Sequence, residues 1–414
     1  MSRLGVLHRE RSVTAGLRHR GRLLTAAGAG VVLAAGISIA AFAAPGSHAA
    51  AMSGANRAAG TAAKAGAKKA DPVPAGPLTV VSVSPANGSR YANGGQQIKV
   101  VFSDPLAANS PMPALSPHIS GSWRVSGTTA AFTPSSGFQP HTKVTITIPG
   151  GSAGVAAAGA TQESTTPGNG YLASSVKESY TTGSFSTLRL QQLLAELGYL
   201  PLTWAPSGAD VSAGNASAQL AAAYSAPQGS FTWQSGYPSK LHSFWKQGSD
   251  NLIDNGAIRA FENDQGLTMD GAAGATLWRH LLTAIAKGQH NKHGYTYALA
   301  SKSSPETLTV WHNGHVVLKT LANTGISVAP TANGTFPVYL RYYYQVMKGT
   351  NPDGSKYADP VNFVSYFDGG DALHYFPRYS FGYPQSLGCV ELPWDAAKKA
   401  WGYTTYGTLV TVAG

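Results

Sequence analysis

The hydrophobic pattern of this chain changes period twice, and those two changes limit its fold more than any other feature. From Pro77 apolar residues alternate in the short runs "LTVVSVSPANGS", "QQIKVVFSDPL", "GSWRVSGTTAAFTP" and "TKVTITIPGG", each bounded by Gly, Pro, Asn or Ser. Alternation broken by frequent turns is the pattern of a β-sandwich, where every second side chain enters one core. From Thr187 the period lengthens. Leu190, Leu193, Leu194 and Leu197 recur at helical spacing, and Gly198 ends the run. Ile258 with Phe261, then Trp278, Leu281 and Leu282, predict two further helices. From Tyr295 the alternation returns as two runs around His312-Asn313-Gly314-His315, where Asn-Gly favours a type I′ turn. "GTFPVYLRYYY", "VNFVSYF" and "GTLVTVAG" read as later strands. These patterns predict a multidomain, mainly β protein: a sandwich over 77–183, a small helical domain over 184–290 and a β-rich domain over 295–414.

What precedes Pro77 has a different character. Residues 1–22 hold six arginines and one acid, Glu10, and residues 23–44, "LLTAAGAGVVLAAGISIAAFAA", hold no charge. A basic start, an apolar stretch and small residues beyond it make an export signal. Ala41-Phe42-Ala43 and Ser47-His48-Ala49 offer cleavage sites. The same stretch as a helix would reach about 33 Å, enough to remain in a bilayer. Residues 1–49 are therefore a signal peptide or a membrane anchor. Either places the remainder outside the cytoplasm, secreted or N-terminally anchored at the cell wall or the extracytoplasmic face of the membrane.

Residues 50–76 almost lack large apolar side chains and read as a flexible linker. Of the net charge of +11, the leader contributes +5 and the linker +3, which leaves +3 for 77–414. The basic pI thus gives no ground for a nucleic-acid partner. It fits a leader lying near an anionic membrane surface.

Export changes the meaning of the one cysteine, Cys389. Exported proteins that use cysteine structurally carry it in pairs. Cys389 is then either a buried thiol acting as a small hydrophobe or a nucleophile. It lies in "FGYPQSLGCVELPWDAA". A tight Ser386-Leu387-Gly388-Cys389 turn ahead of helix formers would gather main-chain N–H groups, which lower a thiol pKa and bind an oxyanion. Gly388 lets main chain approach a substrate. His374, after a strand and a Gly-Gly turn, is the natural base; both residues are expected in loops on one side of a strand pair. This chemistry needs no metal and no organic cofactor. His312 and His315 flank a hairpin tip without an acid or thiol, which is a poor metal site. His118 and His141 read as surface or turn residues.

Three resemblances sharpen this reading. Residues 77–183 resemble bacterial immunoglobulin-like domains, which implies a spacer or wall-contacting module. "LQQLLAELGYLP" and "AIRAFENDQGLTMDGAAGATL" resemble the two halves of the three-helix peptidoglycan-binding module. Its closing Asp-Gly-x-x-Gly-x-x-Thr loop here reads Asp270-Gly271-Ala-Ala-Gly274-Ala-Thr276, one residue short, and about 50 residues separate the halves. That resemblance implies binding of glycan or stem peptide; a purely structural role is the other reading.

Residues 295–413 are similar to the catalytic domain of the L,D-transpeptidases (YkuD-type). That family shows a histidine after a strand, then Ser/Thr-His-Gly-Cys, a short helix and Gly-Thr-x-Val. This chain has His374, then Ser386-Leu387-Gly388-Cys389-Val390-Glu391, and Gly407-Thr408-Leu409-Val410. The resemblance implies Cys389 as nucleophile, His374 as its base, and peptidoglycan stem peptides and glycan as partners. It further implies a thioester formed at the L-centre carbonyl of a tetrapeptide, with loss of D-alanine. Aminolysis then gives a 3→3 cross-link, and hydrolysis an L,D-carboxypeptidase. Leu387 and Glu391 stand where the family usually has a second histidine and a basic or amide residue. They leave open a non-catalytic wall-binding protein. An unrelated cysteine peptidase would need an Asn or Asp orienting the histidine, and Asp371 lies three residues before His374.

Overall fold

The computed structural model describes residues 76–161 and 168–414, which fall in one compact unit. The leader over 1–49, and with it the question of signal or anchor, lies outside the described residues. Among those described, no helix is long and apolar enough to cross a membrane.

Seven strands form the first region: β1 (Val80–Ser84), β2 (Ile98–Phe102), β3 (Ala114–Ser116), β4 (Gly121–Ser126), β5 (Thr129–Pro134), β6 (Lys143–Ile148) and β7 (Val176–Thr181). They make two antiparallel sheets, ordered β1-β2-β5-β4 and β3-β6-β7. The alternation seen in the sequence has its expected outcome. Ile98, Val100 and Phe102 of one sheet and Val144, Ile146 and Ile148 of the other are all buried in one core. Each such side chain contributes about 1.5–3 kcal/mol relative to exposure.

The second region runs α1 (Thr187–Glu196), β8 (Leu202–Pro206), α2 (Ala216–Tyr224), β9 (Gly229–Trp233), α3 (Ser239–His242), α4 (Leu252–Asp264) and α5 (Ala275–Ala286). Leu190, Leu193, Leu194 and Leu197 are buried together with Ile258, Phe261, Trp278 and Leu281. Gly198 ends α1 with φ of +78°. The long insertion is structured: it forms α2, α3 and the hairpin β8–β9. Its helix α2 is also the dock for the sandwich. Ser217 Oγ donates to Pro134 O at 2.8 Å, Tyr224 OH to Phe138 O at 2.8 Å, and Asn93 Nδ2 to Ala221 O at 2.9 Å. Arg189 of α1 is fully buried, and its guanidinium donates to Gln192 Oε1, Glu196 Oε1 and, on α2, Gln219 Oε1.

The third region contains β10 (Thr296–Ser301), β11 (Thr307–His312), β12 (His315–Leu321), β13 (Gly334–Pro337), β14 (Leu340–Thr350), β15 (Lys356–Asp368), β16 (Asp371–Tyr375), β17 (Val390–Leu392), α6 (Trp394–Tyr403) and β18 (Leu409–Ala413). The stretch expected as two runs is three strands, because the segment with Pro305 cannot continue a central ladder. The tip at Asn313 and Gly314 has φ of +47° and +77°, as a type I′ turn requires. Two sheets result, β12-β11-β10-β18-β13 and β14-β15-β16-β17, with α6 against strands of both. Tyr295, Tyr297 and Leu409 belong to the core of the helical region, so the two regions share one apolar interior.

One irregularity shapes the second sheet. Phe363 has φ of +60°, and the β15–β16 register shifts between Asn362 and Ser365. Val361, Val364 and Tyr366 consequently share one apolar cluster, which an uninterrupted strand of period two would forbid. Such backbone costs about 1–3 kcal/mol. The Phe363 ring meets Tyr343, Trp394 and Trp401. Contacts of this kind contribute about 0.5–1.5 kcal/mol each and offset the strain.

Candidate active site

The residues that carry chemistry meet where β16 and β17 run parallel. Leu373 pairs with Val390 and His374 with Glu391, which puts Cys389 at the entrance to β17. Cys389, His374, Ser386 and Leu387 line one cleft of about 510 Å³. Tyr357, Asp359 and Val361 of β15, ahead of its irregularity, also line it. A slightly larger cavity, about 570 Å³, lies in the helical region around Tyr199, Phe261 and Asp264 and is lined by no cysteine, serine or threonine.

His374 belongs to strand β16 rather than to the loop expected, and it is buried. Its Nδ1 is 2.9 Å from Tyr375 O. A carbonyl can only accept, so Nδ1 carries the proton and Nε2 presents its lone pair. Burial holds the imidazole below its ordinary pKa, while the Tyr375 carbonyl and the Glu391 carboxylate pull the other way. The result is a neutral ring, already in the form a base requires. The orienting group is therefore main chain, and Asp371 is not needed for it.

Cys389 is partly exposed to the cleft but closely surrounded by protein. Its Sγ lies 3.7 Å from Gly370 O, and the Ala372 N–H also reaches the sulfur. Burial, aided by the charges of Asp371 and Glu391, pushes the thiol up to about 12 against the Ala372 hydrogen bond. Burial thus acts against the lowering expected from main-chain N–H groups gathered at the turn. Cys389 leads into a strand, and α6 begins only at Trp394. Proton removal must accompany attack.

The cysteine turn is braced from inside. Ser386 Oγ donates to Cys389 O at 2.6 Å and accepts from Gly388 N at 3.2 Å. The Gly388 N–H, expected among the oxyanion donors, is thus engaged by Ser386 Oγ. What Gly388 supplies is space. Its φ is +121°, and a Cβ there would collide with Asp371 Oδ1. Behind the turn, Gln385 N and Ser386 N donate to Thr324 O, and Asn323 exchanges main-chain hydrogen bonds with Glu391. Glu306 holds Thr324 in turn, accepting at 2.6 and 2.7 Å.

His312 is engaged by Thr296 and Asn313. Among the described residues, no three or more His, Cys, Asp or Glu side chains gather as a metal site.

Residues 295–412 match the family model of the L,D-transpeptidase catalytic domain (YkuD). This region is an L,D-transpeptidase domain. It makes the chain an enzyme of that class, and residues 74–182 match the bacterial Ig-like domain. No curated protein matches the chain. Solved structures similar to it include an L,D-transpeptidase from Mycobacterium smegmatis, 15% identical over 82% of this chain and 100% of that one, TM-score 0.27. The catalytic domain of the E. faecium L,D-transpeptidase is 29% identical over 28% of this chain and 95% of that one, TM-score 0.26. L,D-transpeptidase 3 from Mycobacterium tuberculosis, with a faropenem-derived adduct, is 13% identical over 81% of this chain and 98% of that one, TM-score 0.27. With scores of this size the assignment rests on the family models.

The transpeptidase domain brings all four expected residues, Cys389, His374, Ser386 and Gly388, into one site. Sequence reasoning missed three contributors. The Tyr375 carbonyl has no side-chain signature. Arg378, which grips Glu391 through Nε and Nη2 at 2.7 Å each, could have been suspected from the acid at position 391. The β14–β15 residues that line the cleft, such as Met347, Tyr357 and Asp359, come from a strand pair whose register no local propensity foretells.

Proposed function

We propose that this chain is an exported L,D-transpeptidase that acts on peptidoglycan stem tetrapeptides through a Cys389 thioester and forms 3→3 cross-links. The carrying observation is the His374 ring, fixed on the Tyr375 carbonyl with a free Nε2, in the same cleft as the one thiol of the chain. Nε2 takes the Sγ proton as sulfur attacks the carbonyl of the L-centre residue, and gives it to the departing D-alanine amine. The Cys389 N–H receives the oxyanion, since Gly388 N–H is committed to Ser386. An acceptor amine then opens the thioester; water in its place gives L,D-carboxypeptidase activity. No cofactor enters these steps. The basic leader supports export to the cell wall, secreted or anchored, and the helical region is suited to hold the enzyme on glycan or stem peptide.

The test is intact-mass analysis after incubation with a carbapenem, followed by a disaccharide tetrapeptide. A single adduct on the wild type, absent from Cys389→Ala and slow in His374→Ala, with D-alanine release and a 3→3 dimer, is the expected result. A folded protein that takes no adduct would refute the proposed chemistry and leave a wall-binding role.

A further inference from the structure

Asp371 has no part in the mechanism above, yet it is surrounded by it. The residues on either side of it, Gly370 and Ala372, supply the carbonyl and N–H that touch the Cys389 sulfur. Its carboxylate packs directly on Gly388, so closely that a Cβ there would meet Oδ1, and it lines the same cleft as Cys389 and His374. Among the described residues it forms no ion pair within 4.0 Å. The Ala332 N–H is its hydrogen-bond donor, and Asp368 and Lys302 are the charges acting on it from outside. An acid this close to a nucleophilic thiol hinders thiolate formation, so its position calls for another use.

Proton accounting supplies one. An amine acceptor reaches the thioester at neutral pH as R–NH3⁺, and the amide product keeps a single N–H. Two protons must leave the nitrogen. One can pass through His374 to the departing thiolate, because the imidazole is neutral again once the leaving amine has taken its proton. The other has no carrier among the groups already assigned. Water as acceptor loses only one proton before the thiolate is satisfied, and His374 suffices for it.

We propose that Asp371 docks the acceptor ammonium and carries its surplus proton to solvent, which makes it a catalytic residue of the aminolysis half-reaction alone. The inference rests on the transpeptidase reading. Bond by bond, Asp371 carboxylate takes H⁺ from R–NH3⁺ and the free amine attacks the thioester carbon. His374 Nε2 takes the second proton as the C–N bond forms, the C–S bond breaks, and the imidazolium protonates Cys389 Sγ. Asp371 then releases its proton to water. Burial, which raises the carboxyl pKa, strengthens it as a base.

The experiment forms the acyl-enzyme from one tetrapeptide donor and partitions it among water, a D-amino acid and hydroxylamine, which is largely uncharged at neutral pH. In Asp371→Asn, transfer to the D-amino acid should fall at least tenfold relative to hydrolysis, while transfer to hydroxylamine keeps its ratio to hydrolysis. Asp368→Asn, removing a neighbouring charge outside the cleft, should leave all ratios as in the wild type. A general loss of packing at Asp371→Asn would lower both transfers together, and that result, or no change in either, overturns the proposal. If the variant does not fold, the wild type decides: KM for the D-amino acid should rise with added salt and KM for hydroxylamine should not. A D-amino acid KM indifferent to salt overturns the proposal. Failure of the wild type to form any acyl-enzyme would instead remove the transpeptidase reading on which the inference stands.

Discussion

Glu391 is the register partner of His374 across the parallel pair β16–β17, and Arg378 grips its carboxylate with two hydrogen bonds of 2.7 Å. A bare carboxylate here would pull the imidazole toward its charged form; the guanidinium opposes that pull. The acid at position 391 is thus tolerable because the loop after β16 brings its own cation. Arg378→Ala should raise the imidazole pKa and slow acylation. It should also destabilise the fold by about 2–4 kcal/mol, because Glu391 is left buried without a partner. Replacing both, Arg378→Met with Glu391→Leu, should restore most of the stability. Histidine NMR titration and chemical denaturation check the two effects, and an unchanged His374 titration in Arg378→Ala would sink the argument.

The opposite displacements of base and thiol give a distinctive pH signature. Burial lowers the His374 pKa from its ordinary 6.5 and pushes Cys389 up to about 12. Acylation by a carbapenem, driven by the neutral imidazole, should have its acid limb below the ordinary imidazole range and level off above it. Alkylation by iodoacetamide, which needs free thiolate, should keep rising well past pH 9, roughly tenfold per pH unit below the thiol pKa. An alkylation plateau near neutrality would mean a preformed thiolate and would contradict the protonated resting thiol.

Much of the scaffold was legible because its signals are local. Alternation in "QQIKVVF" and "TKVTITI" placed the sandwich strands, the Leu190–Leu197 spacing placed α1, and Asn313-Gly314 placed a hairpin. The motif around Cys389 and the preceding His374 carried the resemblance to the L,D-transpeptidase catalytic domain, whose family model matches residues 295–412. What stayed hidden depends on contacts made only in the fold. No pattern in the sequence marks Arg189, yet it is fully enclosed, and Gln192, Glu196 and Gln219 accept hydrogen bonds from it. The parallel pairing of β16 with β17 joins segments separated by a long loop, which no periodicity encodes. The upward push on the Cys389 thiol likewise comes from burial that exists only in the fold.

Gly388 offers a separate test of how tightly the cysteine turn is built. Its φ of +121° disfavours any side chain, and a Cβ would strike the Asp371 carboxylate. Gly388→Ala should lower the acylation rate at least tenfold by shifting Sγ away from Nε2, with a stability loss of about 1–3 kcal/mol. Adding Asp371→Gly relieves the collision but not the backbone strain, so it should recover only part of the loss. Full recovery would show that collision alone matters; none would leave strain as the whole cause. Acylation kinetics on folded single and double variants separate these outcomes.

The helical region carries its own pH dependence through Asp254. This buried carboxyl in the first turn of α4 accepts from Gln191 and Asn251, both at 2.8 Å, and its Oδ1 has no partner. Burial raises its pKa from 3.8 to about 7, against the Gln191 hydrogen bond. The native protein therefore holds this proton more tightly than the unfolded chain does. The associated stability is whole below about pH 4 and is lost as pH rises through 7, an effect on the order of 2–4 kcal/mol. Asp254→Asn, which cannot ionise, should lack this loss. Relative to the wild type it should gain stability between pH 4.5 and pH 8, whatever its packing penalty. Urea denaturation of both proteins at the two pH values measures that change. A stability difference equal at both would mean Asp254 titrates as an ordinary surface acid, and the buried Gln191–Asp254 contact would have to be looser than the hydrogen bonds indicate.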